Sequence, residues 1–185
     1  IHLHDRGSLG IYEINRILDY TLKYNLQGKV QISHGFALAD ICGEELERIA
    51  VRLKEANVAI NTTVPIDIQA LSIPVLKRHG VNVHVVNDNI NDHWSPFGTG
   101  DLIQRASRAA EVFSMTDEAA LSNALGLVTN GITPLDEEGN LSWPKVDDKA
   151  NILFVKAESS AHLIGRVCPE RVVLFRGNFV SGNFK

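Results

Sequence analysis

Val81-Asn82-Val83-His84-Val85-Val86-Asn87-Asp88-Asn89-Ile90-Asn91-Asp92-His93-Trp94-Ser95-Pro96-Phe97-Gly98 reads as a buried strand running into a long polar loop. The valines at 81, 83, 85 and 86 form a β-branched run between turn residues, the pattern of a strand in a parallel sheet. The run delivers Asp88 to its C-terminal end. Ligands of α/β proteins bind outside the carboxyl ends of strands, so Asp88 stands where chemistry is done. A lone strand-end aspartate also caps turns, and the rest of the chain bears on which role it has.

Upstream, residues 11–25 place Ile11, Ile14, Leu18 and Leu22 on one helix face, with Glu13, Arg16 and Lys23 off it and Gly28 as a stop. Residues 29–34 read as a strand ending at His34. Residues 43–56 read as a helix with Leu46, Ile49, Ala50 and Leu53 inward. A strand over 58–63 is broken by Val64-Pro65, and a short helix over 73–79 is stopped by Gly80. Ahead of all these, Ile1-His2-Leu3-His4-Asp5 reads as a strand end and Arg6 to Gly10 as a loop.

Downstream, the pattern predicts a helix over 100–114 with Leu102, Ala106, Ala109 and Phe113 inward. A second helix is predicted over 117–129 with Thr116 as N-cap. Strand and helix thus alternate through residues 1–134, with crossovers long enough for parallel neighbours. Composition shifts after Thr133-Pro134, so 135–185 reads as a separate small β element. It contains a strand over 150–157, a short helix over 159–167 and a hairpin over 171–180 turning at Gly177-Asn178.

The bulk properties exclude more than they assign. A net charge of −4, from 18 basic and 22 acidic residues, leaves no basic footprint for nucleic acid and no polybasic membrane patch. No apolar run is long enough to span a bilayer. Cys42 and Cys168 are too few for a disulfide framework or a zinc knuckle, so a reducing cytoplasm is the expected compartment. The chain starts at a strand end without methionine, which reads as a fragment.

The polar residues at strand ends form a set. His2 or His4 ends the first strand, His34 the second and Asp88 the fourth. Successive parallel strands bring such residues to one rim. Two neutral imidazoles with a carboxylate suit one Zn²⁺ or Fe²⁺ that activates water. Each histidine taken alone also fits a satisfied buried imidazole.

Three segments carry a resemblance: His2-Leu3-His4-Asp5, Val30-Gln31-Ile32-Ser33-His34 and the loop from Asn87 to Gly98. Together they resemble the later half of the amidohydrolase superfamily, in its cytosine deaminase-like branch. The resemblance implies a (β/α)8 TIM-barrel fold of which about strands five to eight are present in 1–134, with the family's C-terminal β element in 135–185. It implies His2, His34 and Asp88 as metal ligands, with His4 the rival of His2. Asp88, Asp5 and His34 become the catalytic groups. Asp5 stands where the family usually has Glu, one methylene longer. Trp94 corresponds to a residue that packs on a planar substrate, and Asn89 stands where a second acid is common.

The implied activity is metal-dependent hydrolysis of a C–N bond in a small heterocyclic amine, as a homo-oligomer or paired with a missing N-terminal half. The family's strand-one His-x-His pair and strand-four substrate contact have no counterpart under this register. His2-Leu3-His4 could imitate that pair, but too few βα units follow it. The alternative expectation is therefore an inactive truncated half-barrel that only self-associates or pairs with the missing part.

Overall fold

The computed structural model describes residues 1–90, 96–136 and 138–184. They fall into two compact units, Ile1–Asp101 and Leu102–Lys185. The composition shift at 134/135 falls inside the second unit.

The first unit is a four-stranded parallel sheet whose spatial order follows the sequence, β1 (His2–Leu3), β2 (Gln31–His34), β3 (Ala59–Thr62) and β4 (Val83–Val85). Helices α1 (Gly7–Lys23), α2 (Gly43–Glu55) and α3 (Ile73–Arg78) join successive strands, as the predicted alternation requires. The register pairs His2 with Ser33, Ser33 with Asn61 and Asn61 with His84. Leu3, Ile32, Ile60, Val83 and Val85 are buried on the other face, with Ile14 and Leu18 of α1 and Ile49 and Leu53 of α2 also in the core. Each such side chain contributes about 1.5–3 kcal/mol when withdrawn from water. The sheet is open at both ends, and the described residues close no barrel.

The start of α1 departs from the sequence reading. The helix begins at Gly7, four residues ahead of the expected start, and takes in the supposed loop. The cause lies far along the chain. The Asp40 carboxylate accepts the Gly7 N–H at 2.8 Å and pairs with the Arg6 guanidinium, so a remote acid supplies the cap that Arg6 cannot. The buried stripe accordingly runs through Gly10, Ile14, Leu18 and Thr21. Gly10 has a packing reason: a Cβ there would lie 2.1 Å from the Asp5 carbonyl oxygen and 2.7 Å from the Ala37 Cβ.

The second unit holds α4 (Leu102–Val112), α5 (Glu118–Gly126), α6 (Ser160–Arg166) and an antiparallel sheet of β5 (Ile152–Val155), β6 (Arg171–Phe175) and β7 (Asn178–Ser181). Asp117 rather than Thr116 caps α5, its side chain accepting the Ala120 N–H at 2.8 Å. The hairpin turns at Arg176-Gly177, one residue earlier than expected, with φ of 49° and 78° there. Positive φ at both central residues is what a tight right-twisted hairpin demands. The buried face of α4 carries Ile103, Ala106, Ala109 and Ala110 and leaves Leu102 exposed.

Candidate metal and active site

Side chains two apart on an extended chain point the same way, so His2 and His4 share a side. Their Nε2 atoms lie 2.9 Å apart. Leu3 pairs with His34 across β1 and β2, which brings a third imidazole alongside; its ring centroid is 4.5 Å from that of His2 and 4.4 Å from that of His4. One ligand nitrogen from each of the three histidines falls within 4.8 Å of the other two. His4, the rival of His2 in the sequence reading, thus joins it.

His34, the last residue of β2, and Asp88, three residues beyond β4, both have left-handed backbone, φ 73° and 68°. For residues with a Cβ that conformation costs about 1 kcal/mol each. It turns each side chain back over the strand ends. Asp88 Oδ2 lies 3.8 Å from His34 Nε2, and half of the Asp88 side chain is exposed. Asp88 therefore stands beside the imidazole group as an outer carboxylate, reaching it through His34. Immediately before Asp88, the Asn87 side-chain amide donates to the Gly100 carbonyl at 2.7 Å and ties the loop's far end back to the end of the strand.

His34 is buried, and burial, followed by the neighbouring His4 and His2, holds its pKa below the ordinary imidazole value; Asp88 pulls the other way. A ring kept neutral offers a lone pair, the state a cation needs. The donor set fits a divalent ion. Zn–N bonds of about 2.0–2.1 Å place two ligand nitrogens of a tetrahedral site about 3.3 Å apart, and the His nitrogens are clustered on that scale.

Phe36 is a residue the sequence reading passed over. Gly35, at φ 59°, reverses the chain directly after His34, and the Phe36 ring comes to rest 5.1 Å from the centroids of both His4 and His34. It gives the histidine cluster one apolar wall.

Asp5 is directed elsewhere. Glu13 on α1 has its carboxyl pushed above the usual range, first by desolvation, then by the charge of Asp5 and hydrogen bonding with it. The Asp5 side chain thus interacts with α1, and its carboxylate is not among the clustered ligand atoms. Asn89 is exposed beyond Asp88. Trp94 lies outside the described residues.

No family model matches the chain. Two curated proteins resemble it. The uncharacterized protein YahJ of Escherichia coli K12 is 35% identical over 184 residues, covering 99% of this chain and 40% of YahJ. N-isopropylammelide isopropyl amidohydrolase of Pseudomonas sp. strain ADP is 31% identical over 132 residues, covering 71% of this chain and 32% of that enzyme. Among solved structures, N-isopropylammelide isopropylaminohydrolase from Burkholderia multivorans ATCC 17616 superposes with a TM-score of 0.85 at 32% identity, covering 98% of this chain and 46% of that one. A 5-methylcytosine deaminase from Klebsiella pneumoniae, liganded with 5-fluorocytosine, shares the fold with a TM-score of 0.72 at 18% identity, over 91% of this chain and 44% of that one. The chain spans less than half the length of each of these relatives.

Proposed function

The chain belongs to the cytosine deaminase-like amidohydrolases, and on that premise we propose that the protein carrying it hydrolyses a C–N bond of a small nitrogen heterocycle. The observation that supports this reading is the meeting of His2, His4, His34 and Asp88 at the C-terminal ends of parallel strands. In the proposal, residues 1–134 are the later half of a (β/α)8 barrel and 135–185 its C-terminal β element.

His2, His4 and His34 would hold one divalent cation, Zn²⁺ or Fe²⁺, through their ring nitrogens, with Asp88 beside them. The cation, when bound, supplies Lewis-acid activation of water. Asp88 accepts a proton from the attacking water and returns it to the nitrogen that leaves as an amine, while the water oxygen stays on the ring carbon. Its exposure and its separation from His34 leave it room to move that proton between two partners. Asn89, exposed beyond Asp88, contacts the ring. Phe36 excludes water from one side of the imidazoles.

The names of the two N-isopropylammelide enzymes favour an alkylamino-triazine as substrate. The test is release of isopropylamine from N-isopropylammelide by the full-length protein, before and after chelation and then with Zn²⁺ or Fe²⁺ restored. Turnover that disappears on chelation and returns with the metal supports the proposal. Turnover indifferent to the chelator overturns the metal-dependent mechanism.

A further inference from the structure

The ladder between β3 and β4 stops one step short of Asp88. In a parallel pair, every second residue of a strand both donates its N–H and accepts through its C=O. Here the series runs from the Ile60 N–H, which donates to the Asn82 carbonyl at 2.9 Å, to the Thr62 carbonyl, which accepts the Val86 N–H at 2.9 Å. Two more residues of extended chain in β3 would add the next pair, Val64 N–H to the Val86 carbonyl and Asp88 N–H to the Val64 carbonyl. The second of these bonds would hold Asp88 in extended backbone.

The Val64 N–H goes elsewhere. It donates to Thr62 Oγ1 at 3.1 Å, and Val64 takes a left-handed φ of 51°. Neither Val64 nor its successor favours that backbone. Val64 is β-branched, for which a positive φ is an outlier, and it precedes Pro65, which biases it toward extended structure. A threonine hydroxyl that accepts the N–H two residues on offers the backbone an alternative to the ladder. Thr62 is 3% exposed and Val64 0%, so water does not compete for the bond.

We propose that Thr62 is a positioning residue for Asp88: its hydroxyl takes the Val64 N–H out of the ladder, and this frees residues 87 and 88 to turn. Asp88, at φ 68°, then directs its carboxylate to within 3.8 Å of His34 Nε2. The strand order makes that meeting a crossing, because β3 lies between β2, which ends at His34, and β4, which leads to Asp88. With Val64 extended, β3 would run about 7 Å further between those two ends. The ladder would then keep Asp88 from turning.

This inference rests on the reading of Asp88 as the proton carrier, and two readouts on the full-length, Zn²⁺-loaded protein separate the two. Thr62→Val replaces the hydroxyl by a methyl, and Thr62→Ser keeps it. Crystal structures of both variants need no substrate. Thr62→Val is expected to extend Val64, to bond the Asp88 N–H to the Val64 carbonyl and to draw the Asp88 carboxylate beyond ion-pair distance of His34, while Thr62→Ser keeps the turn. Turnover of N-isopropylammelide is the second readout. In Thr62→Val, kcat should fall at least tenfold with KM and metal content within twofold of wild type, and Thr62→Ser should stay within threefold in kcat; a purely structural Thr62 would lower Tm and leave kcat unchanged. If Thr62→Val does not fold, Thr62→Ala takes its place. Val64 and Asp88 both still left-handed in the hydroxyl-free variant would overturn the proposal. A displaced Asp88 with kcat within twofold of wild type would support the turn's hold on Asp88 and overturn the proton-carrier reading. A wild type without turnover would count against N-isopropylammelide as substrate, and the crystal structures would then decide this inference alone.

Discussion

The Nε2 atoms of His2 and His4 face each other at 2.9 Å, with one residue between them in sequence. Two unprotonated imidazole nitrogens at that distance repel, so the pair must share either a proton or a cation. A cation is the partner in the proposal above, because a ligand nitrogen of His34 lies with theirs. Strand alternation puts His2 and His4 on one side, and the left-handed backbone of His34 at the end of β2 accompanies the approach of its ring to theirs.

Gly10→Ala tests how tightly that strand end is held. In an exposed helix the change would stabilise by about 1 kcal/mol. Here the new Cβ meets the Asp5 carbonyl at 2.1 Å, a backbone atom that moves only with the His4-Asp5 segment. We expect a net loss of about 2 kcal/mol and weaker metal binding, read by thermal unfolding and metal titration. An unchanged Tm would show that α1 and the strand end slide apart freely.

Asp40→Asn removes the charge that starts α1. The Arg6 guanidinium first, and the Gly7 N–H second, hold the Asp40 carboxyl below the usual carboxylate range. A depressed folded-state pKa means the unfolded chain binds the proton more readily. The contribution is therefore complete above about pH 4, the unfolded value, and fades as pH falls through the lower folded one. The pair is partly exposed, so the expected cost at pH 7 is modest, about 1 kcal/mol. Chemical denaturation of wild type and variant at pH 7 and pH 2.5 should show a gap at the first pH that narrows at the second. A gap of equal size at both would assign the effect to packing.

Phe36→Ala opens the apolar wall on His4 and His34. Divalent-metal affinity should fall about tenfold through faster dissociation, with little change in Tm because the ring is only half-buried. Competition with a chromophoric chelator measures it. Equal affinity would remove Phe36 from the site.

Much of the first unit could be read from sequence because its signals are local. Period-two valines around His84, the α2 stripe of Leu46, Ile49, Ala50 and Leu53, and the polar residues ending β2 and β4 each lie within one element. What escaped depends on partners remote in sequence. Asp40 caps a helix 33 residues away, so Arg6 to Gly10 looked like a loop. His4 looked like an alternative to His2 because sequence alone does not show that His34 stands where both converge. Phe36 gained a role only through the left-handed turn at Gly35. Strand order was legible in the alternation itself: it predicts consecutive strands as parallel neighbours, and β1 to β4 pair in that order.

The central claim is that Asp88 carries the proton for a reaction at the histidine cluster. The most direct measurement is the turnover of N-isopropylammelide by the full-length protein and its Asp88→Asn variant, both assayed at equal metal content. The account predicts that kcat falls by about a thousandfold in the variant while the cation bound to His2, His4 and His34 is retained. Normal turnover in Asp88→Asn would contradict it.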